Sequence, residues 1–357
     1  MPAHTSLRLL RHLCISLGMC ALFACGCTSN SETTATNPTV APPTAPPSSE
    51  SPIAETSDSV AGTAAQIVVQ APSSDGDGIY LLGATGETVE QLAPEVGAAK
   101  HPDWSPDGSL LVFAGDSDGA LWTVGLDGSD AQQLLTCDAD CLALDFPAFS
   151  PDGRRIAYTR YEPAAADGPP AASTIRVLDL DTMTSVDVVR TTQPRLVDVA
   201  RWSANGEELV VGIDVFDADF NEAGSTIGVV GASGGDIREL VDPTTFAYAP
   251  DWNARTGEII YSTETMQFRA EPQQGDDTWN LWGIAPDGSG LRQLTDLPSG
   301  QRLLQPTWAP DGDAIVATLE TGEASTRRTV LVDPTNGTIT PVATALSTHG
   351  RLQPASL

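Results

Sequence analysis

The clearest catalytic pattern in the sequence is a serine among glycines. Gly231-Ala232-Ser233-Gly234-Gly235 has the spacing of a G-x-S-x-G nucleophile elbow, in which a serine between a strand and a helix attacks an acyl group. The residues that follow, Asp236 to Val241, have the pattern of a strand rather than a helix. We therefore interpret Ser233 as a turn residue and do not predict a serine hydrolase.

Histidines are too few for the clustered ligand sets of transition-metal enzymes. The chain has four, and only His101 and His349 lie beyond residue 24. Catalytic metal sites of this kind need about three protein ligands, so these two residues do not predict one. We expect both histidines to be solvated residues near turns.

The densest group of oxygen ligands lies between Asp214 and Glu222. Within it, Asp217, Asp219 and Asn221 resemble the beginning of a calcium-binding loop. Glu222 occupies the place where such a loop needs glycine for its turn, and no glutamate follows at the distance of the last ligand. A solvated acidic loop is therefore the favoured interpretation, with Ca²⁺ as the alternative and no other cofactor expected.

Cys137 and Cys141 stand four residues apart in a chain that contains six cysteines. Zinc binding at this spacing needs further cysteine or histidine ligands nearby, and the sequence has none. In an oxidising compartment, two such cysteines form a disulfide that closes a small loop. We predict this disulfide.

The N-terminal segment has the organisation of an export signal. Arg8 and Arg11 precede an apolar run over residues 13–24. This run is too short to span the roughly 30 Å core of a bilayer as a helix that rises about 1.5 Å per residue. It ends in Leu22-Phe23-Ala24-Cys25, which resembles the lipobox of bacterial lipoproteins.

The lipobox resemblance implies that residues 1–24 are a signal peptide and that Cys25 becomes the lipidated N-terminus, with Cys27 as the alternative. Residues 25–63 are rich in serine, threonine and proline and lack apolar periodicity, so we expect a disordered tether. The protein is thus expected to be exported and lipid-anchored to the membrane, facing the periplasm or the cell exterior.

A repeated pattern fills the chain from residue 64 to residue 357. Each copy has an aromatic residue, a tight turn of the Pro-Asp-Gly type and an apolar run of the length of a strand. A second run with its own turn completes the copy, and no helical periodicity interrupts it. The aromatic residues, which we interpret as wedges between neighbouring sheets, are Trp104, Phe149, Trp202, Trp252 and Trp308.

Four antiparallel strands per copy predict the blades of a β-propeller. Residues 66–93 match a blade that lacks its first strand, and residues 350–357 match the beginning of a first strand. Because an open edge strand is a liability, we predict that the last strand completes the first blade. The predicted fold is all-β: a six-bladed propeller of four-stranded antiparallel blades, preceded by a signal peptide and a disordered linker.

The repeats are clearest at PDWSPDG (102–108), FSPDG (149–153) and TWAPDG (307–312). They resemble the TolB-type, WD-like propeller repeat over residues 66–357. The resemblance implies the fold but little about activity, because propellers of this type serve as docking modules, as side domains of enzymes and as lyases. TolB also has an N-terminal α/β domain, for which this chain has only the predicted tether, so a role in the Tol system is not implied.

The predicted strand order places the loops between second and third strands on one face of the propeller. These loops are long in three blades, over residues 161–173, 214–225 and 263–279. Long loops on a rigid scaffold are common sites of recognition, and aromatic residues within an acidic rim suit a protein or glycan partner. The candidate partner-binding residues, if their side chains are exposed, are Tyr161, Phe216, Phe220, Phe268 and Trp279. The alternative is that these segments are packed insertions.

The net charge of −29 excludes nucleic acid as a partner, because the acidic surface repels phosphate groups. The sequence predicts a monomeric, non-catalytic scaffold that binds a protein or glycan in the cell envelope. One alternative is a hydrolase or lyase with a site in the propeller channel, which convergent titratable groups from several first strands would favour. Another is a calcium-binding structural protein of the envelope.

Overall fold

The computed structural model describes residues 66–73, 76–83, 88–128, 131–164, 170–264, 278–321, 326–342 and 348–354. The predicted signal peptide, tether and lipidated Cys25 or Cys27 lie outside the described residues, as does Phe268. Residues from Ala64 to Leu357 form one compact unit. Among the described residues, no helix is long and apolar enough to cross a bilayer.

The described part of the chain is built from 24 strands and two short 3₁₀ turns, at Pro94–Val96 and Pro243–Thr245. The first seven strands are β1 Ile67–Ser73, β2 Gly76–Leu82, β3 Thr88–Leu92, β4 Ala99–Trp104, β5 Leu110–Gly115, β6 Leu121–Gly125 and β7 Gln132–Leu135. The next eight are β8 Ala143–Phe149, β9 Arg155–Glu162, β10 Ala172–Asp179, β11 Thr184–Thr192, β12 Arg195–Trp202, β13 Glu208–Phe216, β14 Glu222–Gly231 and β15 Arg238–Glu239. The last nine are β16 Ala247–Trp252, β17 Ile259–Glu264, β18 Trp279–Ile284, β19 Arg292–Gln293, β20 Gln301–Trp308, β21 Ile315–Thr321, β22 Thr326–Val332, β23 Ile339–Pro341 and β24 Thr348–Leu352.

These strands pair in sequence order. Four separate four-stranded antiparallel sheets are formed by β24 with β1–β3, by β4–β7, by β8–β11 and by β12–β15. Strands β16–β23 belong to one eight-stranded sheet. We number the strand quartets as repeats, from the first (β24, β1–β3) to the sixth (β20–β23), and call β24, β4, β8, β12, β16 and β20 their first strands.

The prediction of six separate four-stranded sheets is wrong, because the described residues form four sheets of this kind and one of eight strands. The fifth and sixth repeats share the eight-stranded sheet. The link between them is a single parallel pairing of Trp279 in β18 with Arg302 in β20. Every other pairing within this sheet is antiparallel. The two quartets are therefore joined at one point, near the ends of their strands.

The predicted closure by the C-terminus is confirmed. Strand β24 pairs antiparallel with β1, with Leu352 opposite Ile67 and Arg351 opposite Val68. The first strands also contact one another in order around a ring, and β24 contacts both β20 and β4. The closing strand begins at Thr348, slightly before the predicted segment.

The aromatic wedges pack as predicted, between neighbouring repeats. Trp104 lies in a core cluster with Val68 and Ile79 of the first repeat, and Trp202 lies in one with Ile175 of the third. The indole nitrogens also reach across: Trp104 Nε1 donates to the Arg351 carbonyl at 3.1 Å and Trp202 Nε1 to the Ala148 carbonyl at 3.0 Å. Apolar contact joins these repeats to the preceding ones, and at Trp104 and Trp202 a hydrogen bond from the indole adds to it.

Each of five first strands carries a bulge just before its aromatic residue. The residue three positions before the aromatic has a positive φ, which is uncommon for residues other than glycine. These residues are His101, Phe146, Val199, Ala249 and Gln305. Since a bulge changes the direction of nearby side chains, the repeat sets the residues on either side of it in the same geometry around the ring.

Candidate functional site

Two positions in the second to sixth repeats place mostly polar side chains at one end of the ring. The first, which we call the mouth position, lies four residues before the aromatic wedge on the first strand. It is occupied in the second to sixth repeats by Lys100, Asp145, Asp198, Tyr248 and Leu304.

The second, which we call the partner position, lies on the second strand, two residues beyond the residue paired with the mouth position. It is occupied, in the same order, by Asp116, Tyr161, Asp214, Glu264 and Glu320. In each repeat, the first strand begins and the second strand ends at the face that carries the loops between second and third strands. Both positions therefore lie toward that face.

An ammonium group occupies the mouth position of the second repeat. Lys100 Nζ lies 2.9 Å from Asp116 Oδ1 and 3.2 Å from Asp145 Oδ2, so it bridges the second and third repeats. Burial of Lys100 would lower its pKa, but the two carboxylates outweigh burial and raise the pKa above its usual value. Lys100 therefore stays charged and neutralises this part of the mouth.

His101 packs beside the same carboxylate. Its Nδ1 lies 2.5 Å from Asp145 Oδ1, and its ring stacks on Phe146 with centroids 4.0 Å apart. Burial lowers the pKa of His101, with Asp145 opposing it. We therefore assign a neutral imidazole that donates from Nδ1 at neutral pH. The prediction of a solvated turn histidine is wrong for His101, whose side chain is buried because the bulge turns it toward the third repeat.

Asp145 is almost completely buried, at 1% exposure, and remains ionised. Burial alone would raise its pKa, but the interactions with His101 and Lys100 and the hydrogen bond from the Phe146 amide lower it well below its usual range. Lysine, histidine and a backbone amide thus satisfy this carboxylate from three directions.

The fourth repeat places carboxylates at both positions. Asp198 and Asp214 are buried, at 8% and 4% exposure. The Asp198 carboxylate lies over Gly212, where a methyl group would collide with it. Among the described residues, no lysine or arginine forms an ion pair with either carboxylate. This repeat therefore buries two acids where the second repeat has an acid and an ammonium group.

Burial and mutual repulsion keep these acids protonated at the lower end of the neutral range. Burial raises the pKa of Asp198 to about 7, the charges of Glu222 and Asp145 add to this, and Arg201 opposes it. Burial also raises the pKa of Asp214 well above its usual value, with Asp198 and Glu222 adding and a hydrogen bond from Ser225 opposing. A pair of interacting acids with raised pKa values is a recurrent feature of functional sites.

Tyr161 lies among these acids with its hydroxyl unsatisfied. The residue is 3% exposed, and its buried Oη has no hydrogen-bond partner. Burial raises its pKa, and the charges of Asp198, Asp145 and Asp214 add to the shift. Its strand β9 contacts β12, the strand that carries Asp198. An unpaired buried hydroxyl costs about 1–3 kcal/mol, and here it faces the site.

The fifth repeat completes the rim with aromatic residues. Tyr248 hydrogen-bonds through its hydroxyl to Glu222 and stacks on Trp279, with ring centroids 5.0 Å apart. Glu222 begins β14 and pairs with Phe216 of β13, the strand that carries Asp214. In the sixth repeat, Arg302 and Arg327 bind the carboxylate of Glu320 at 3.3 and 2.7 Å.

A second group of charges lies deeper, one residue before the aromatic wedges. Arg351 Nη1 lies 3.0 Å from Asp103, and Arg201 Nε lies 4.0 Å from Asp251. Asp103 and Asp251 also accept the amide hydrogens of the next wedge residues, Phe149 and Trp308. Two arginines and two aspartates balance one another here, so the excess of negative charge lies at the mouth.

Most of the predicted partner-binding aromatics are not exposed. Tyr161, Phe216 and Trp279 are buried, at 3%, 5% and 2% exposure, and Phe220 alone of the four described is exposed, at 53%. The prediction of an exposed aromatic rim is therefore wrong for three of them. The strands β9, β13 and β18 extend into the segments assigned to loops, so these side chains lie on strand ends and pack inward.

The remaining predicted sites take simple roles. Asp217 accepts hydrogen bonds from the amides of Asp219 and Asn221, which is a turn rather than a ligand arrangement. Among the described residues, no group of three histidine, cysteine or acidic side chains is placed to hold a metal ion. Ser233 lies in the turn between β14 and β15, with no helix after it. Cys137 and Cys141 are joined in a disulfide, with Cα atoms 5.3 Å apart.

The sequence interpretation missed Lys100, Asp145, Asp198 and Asp214 as a site. One available signal would have found it. Aligning the repeats on their aromatic wedges places Lys100, Asp145 and Asp198 at one position of three consecutive repeats, where charged residues are unexpected on inner strands.

No protein-family model matches the chain, and no curated protein matches it. Solved structures do. TolB from Acinetobacter baumannii has a TM-score of 0.58 at 14% identity, over 82% of this chain and 67% of that chain. Hydrazine synthase of Kuenenia stuttgartiensis has a TM-score of 0.62 at 13% identity, over 82% and 47%. A chain of a nidogen–laminin complex has a TM-score of 0.59 at 11% identity, over 82% and 99%. These likenesses show the fold, which is a TolB-like β-propeller of four-stranded antiparallel sheets.

Proposed function

We propose that this protein is a non-catalytic, extracytoplasmic binding protein whose propeller holds its partner at the mouth of the ring. The observation that carries the proposal is the burial of Asp198 and Asp214 toward the mouth of the ring, where no described lysine or arginine forms an ion pair with either carboxylate. Buried carboxylates cost folding free energy unless they are paired. A partner that supplies positive charge offsets this cost, and the net charge of −29 draws such a partner toward the protein.

A protein is the partner that these features favour, with a glycan as the alternative. The nidogen–laminin complex contains a propeller of similar fold within an assembly of proteins. Phe220, the one exposed aromatic of the predicted set, lies on the same face as the mouth and offers an apolar contact beside it.

The N-terminal segment completes the proposal. Cys25, or Cys27, carries the lipid after removal of residues 1–24, and residues 25–63 tether the propeller to the membrane, on the side of the periplasm or the cell exterior. The Cys137–Cys141 disulfide fits such an oxidising compartment. Mass spectrometry of the mature N-terminus tests this part. An acylated Cys25 or Cys27 is expected, and an unmodified N-terminus would contradict it.

We also propose that the eight-stranded sheet acts as two blades, which makes a propeller of six repeats. Its quartets meet through one parallel pairing, Trp279 with Arg302, and are otherwise separately antiparallel. The closed succession of contacts among the first strands supports this count.

The test of the binding function is crosslinking and pull-down from membranes. The double variant Asp198→Asn with Asp214→Asn removes the buried acids with almost no change in shape. The matched control, Asp236→Asn with Asp296→Asn, removes the same charge from exposed positions. We expect the control to capture the wild-type partners and the mouth variant to lose them. Identical partners in both would contradict a binding site at the mouth.

An enzyme is the second candidate, and one observation favours it. Titratable side chains from three different first strands lie toward the mouth: Lys100 and His101 on β4, Asp145 on β8 and Asp198 on β12. A pKa of about 7 at Asp198 suits general acid–base catalysis. A hydrolase or lyase site would show turnover of an ester, amide or glycan substrate that Asp198→Asn abolishes and Asp236→Asn does not. Equal turnover by Asp198→Asn and Asp236→Asn would contradict a catalytic site at Asp198.

A further inference from the structure

The second and fourth repeats carry the same local site with opposite charge at one position. In the second repeat, the mouth position holds Lys100, whose ammonium group lies 2.9 Å from the partner-position carboxylate of Asp116. In the fourth, the partner position again holds a carboxylate, Asp214, but the mouth position holds Asp198. The backbone register is equivalent, because each mouth residue pairs with the residue two before its partner position. The fourth repeat therefore keeps the acceptor of the ammonium site without its ammonium group.

The acceptors around this place are more numerous than in the second repeat. Asp198 and Asp214 are buried, and among the described residues no lysine or arginine pairs with them. Tyr161 lies on β9, which contacts the Asp198 strand β12, and its buried hydroxyl has no hydrogen-bond partner. The charges of Asp198 and Asp214 both raise its pKa. Tyr161 occupies the partner position of the intervening third repeat, so its hydroxyl comes from a different sheet than the carboxylates.

We propose that Asp198, Asp214 and Tyr161 bind a primary ammonium group supplied by a ligand, in the way that Asp116 and Asp145 bind Lys100. The proposal deepens the proposed function and rests on it for the location of the site. A primary ammonium group has three donors, which match two carboxylates and one hydroxyl. It forms charge-assisted hydrogen bonds that neutral donors do not equal.

Other cations fit the arrangement less well. Among the described residues, no group of three histidine, cysteine or acidic side chains is placed to hold a metal ion, and two carboxylates are fewer ligands than a metal site uses. A guanidinium group needs a planar fork of acceptors, whereas these acceptors come from two strands of one sheet and from a neighbouring sheet. An ammonium group is compact, and its three N–H groups can donate hydrogen bonds to acceptors that come from different directions.

Proton release supports the assignment. Binding a cation favours the ionised acids, so ligand affinity rises with pH as Asp198 titrates at a pKa of about 7. Burial of an ammonium group between two carboxylates has an example in this chain, because Lys100 is 8% exposed and its Nζ lies within 3.2 Å of both Asp116 and Asp145. The expected pH dependence is thus an increase in affinity from about pH 6 to about pH 8, below the pKa of an alkylamine.

The same chemistry has two sources, a free amine and the lysine side chain of a protein partner. Isothermal titration calorimetry of the full chain at about pH 8 uses n-pentylamine for the first and a lysine-containing pentapeptide for the second. n-Pentanol and the same peptide with norleucine in place of lysine are the uncharged controls. Binding of pentylamine alone indicates a small amine as the ligand, and tighter binding of the peptide indicates a partner's lysine. Either result supports the inference.

Four variants locate the binding. Asp198→Asn is expected to weaken amine binding by about tenfold or more, and Tyr161→Phe by a smaller factor. Asp198→Lys reproduces the second repeat, so its own ammonium group should occupy the site and abolish binding. Asp236→Asn, an exposed change of the same charge, should leave the affinity within about twofold, since screened surface charge contributes little. Thermal unfolding of each variant verifies the fold, and if Asp198→Lys does not fold, Asp198→Asn and Tyr161→Phe decide.

Several outcomes would overturn the inference: no binding of either amine to the wild type, equal binding of pentanol, or equal losses in Asp198→Asn and Asp236→Asn. These outcomes differ from a failure of the proposed function. Amine binding without loss of captured partners in the doubly substituted mouth variant would leave the ammonium site standing and remove the partner site. Loss of partners without amine binding would do the reverse.

Discussion

The centre around Lys100 and the centre around Asp198 have the same place in their repeats and opposite electrostatics. In the first, an ammonium group and a histidine hold the pKa of Asp145 well below its usual range in spite of burial. In the second, burial raises the pKa of Asp198 to about 7, and neighbouring acids add to it. A repeat backbone therefore fixes where a side chain lies, while the neighbouring repeats decide whether its charge is stabilised.

The difference separates a structural role from a functional one. Lys100 satisfies two carboxylates from two repeats, so its centre joins the ring and needs nothing from outside. The Asp198 centre buries acids that no described lysine or arginine pairs with, and it adds the unsatisfied hydroxyl of Tyr161. Such a local excess of acceptors costs stability, and natural proteins retain such costs at sites of function.

The largest expected effect comes from removing the cation of the structural centre. Lys100→Met keeps the length of the side chain but leaves Asp145 without its ammonium partner. We expect the free energy of unfolding in urea to fall by about 3–5 kcal/mol at neutral pH, as when one member of a buried pair is removed. Lys100→Arg, which keeps the charge, should lose less. A loss below about 1 kcal/mol in Lys100→Met would show that the two centres do not differ as described.

The sequence predicted the parts of this architecture that are local. The aromatic wedges, the turns at Pro-Asp-Gly and the closing strand follow from residue types within a few positions of one another, and the structure confirms them. The state of Asp145 does not follow locally, because its ammonium partner Lys100 comes from the preceding repeat and is 45 positions away in the sequence. Only the alignment of repeats in space brings the two together.

The next effect is a difference in pH dependence between Asp198→Asn and the wild type. The pKa of Asp198 is raised in the folded state, to about 7 from an ordinary 3.8. Its favourable contribution to stability is therefore complete below about pH 4 and is lost as the pH rises to about 7. Since the asparagine side chain does not titrate, the variant should gain roughly 1–3 kcal/mol relative to the wild type between about pH 5 and about pH 8.

Urea unfolding at both pH values measures this gain, with Asp236→Asn as the control of equal charge. The control should follow the wild type within about 0.5 kcal/mol, because Asp236 is exposed. A difference between Asp198→Asn and the wild type that does not change with pH would mean that Asp198 is ionised in the folded protein throughout. The contrast with Asp145 would then disappear.

A smaller effect is expected at the outer carboxylate of the structural centre. Asp116→Asn removes one of the two partners of Lys100, and the Asp116 side chain is 44% exposed. Water screens this pair, so we expect a loss of about 1 kcal/mol or less in the free energy of unfolding. A loss as large as that of Lys100→Met would show that Asp116, rather than Asp145, is the main partner of the ammonium group.

The error in the predicted aromatic rim also has a physical cause. Tyr161 and Phe216 fall within the predicted loops over residues 161–173 and 214–225, yet strands β9 and β13 extend to include them. Pairing with neighbouring strands extends a strand beyond the point where its own residue preferences end. Tyr161 thereby becomes an inward-facing member of the mouth instead of an exposed contact.

The smallest change in stability is expected for Tyr161→Phe. This variant tests the comparison of the two centres at one atom, the Tyr161 hydroxyl oxygen, which is expected to contribute to ligand binding and not to stability. Tyr161→Phe removes a buried hydroxyl that has no hydrogen-bond partner and leaves the ring in place. The free energy of unfolding should stay the same or rise by up to about 1 kcal/mol, since an unsatisfied polar group is lost with no new cavity. Tyr158→Phe in the same strand is the matched control: its hydroxyl bonds to Ser185 at 2.9 Å, so it should lose about 1 kcal/mol. If Tyr161→Phe lost as much as Tyr158→Phe, its hydroxyl would be bound in the folded protein, and the Asp198 centre would be as internally satisfied as the Lys100 centre.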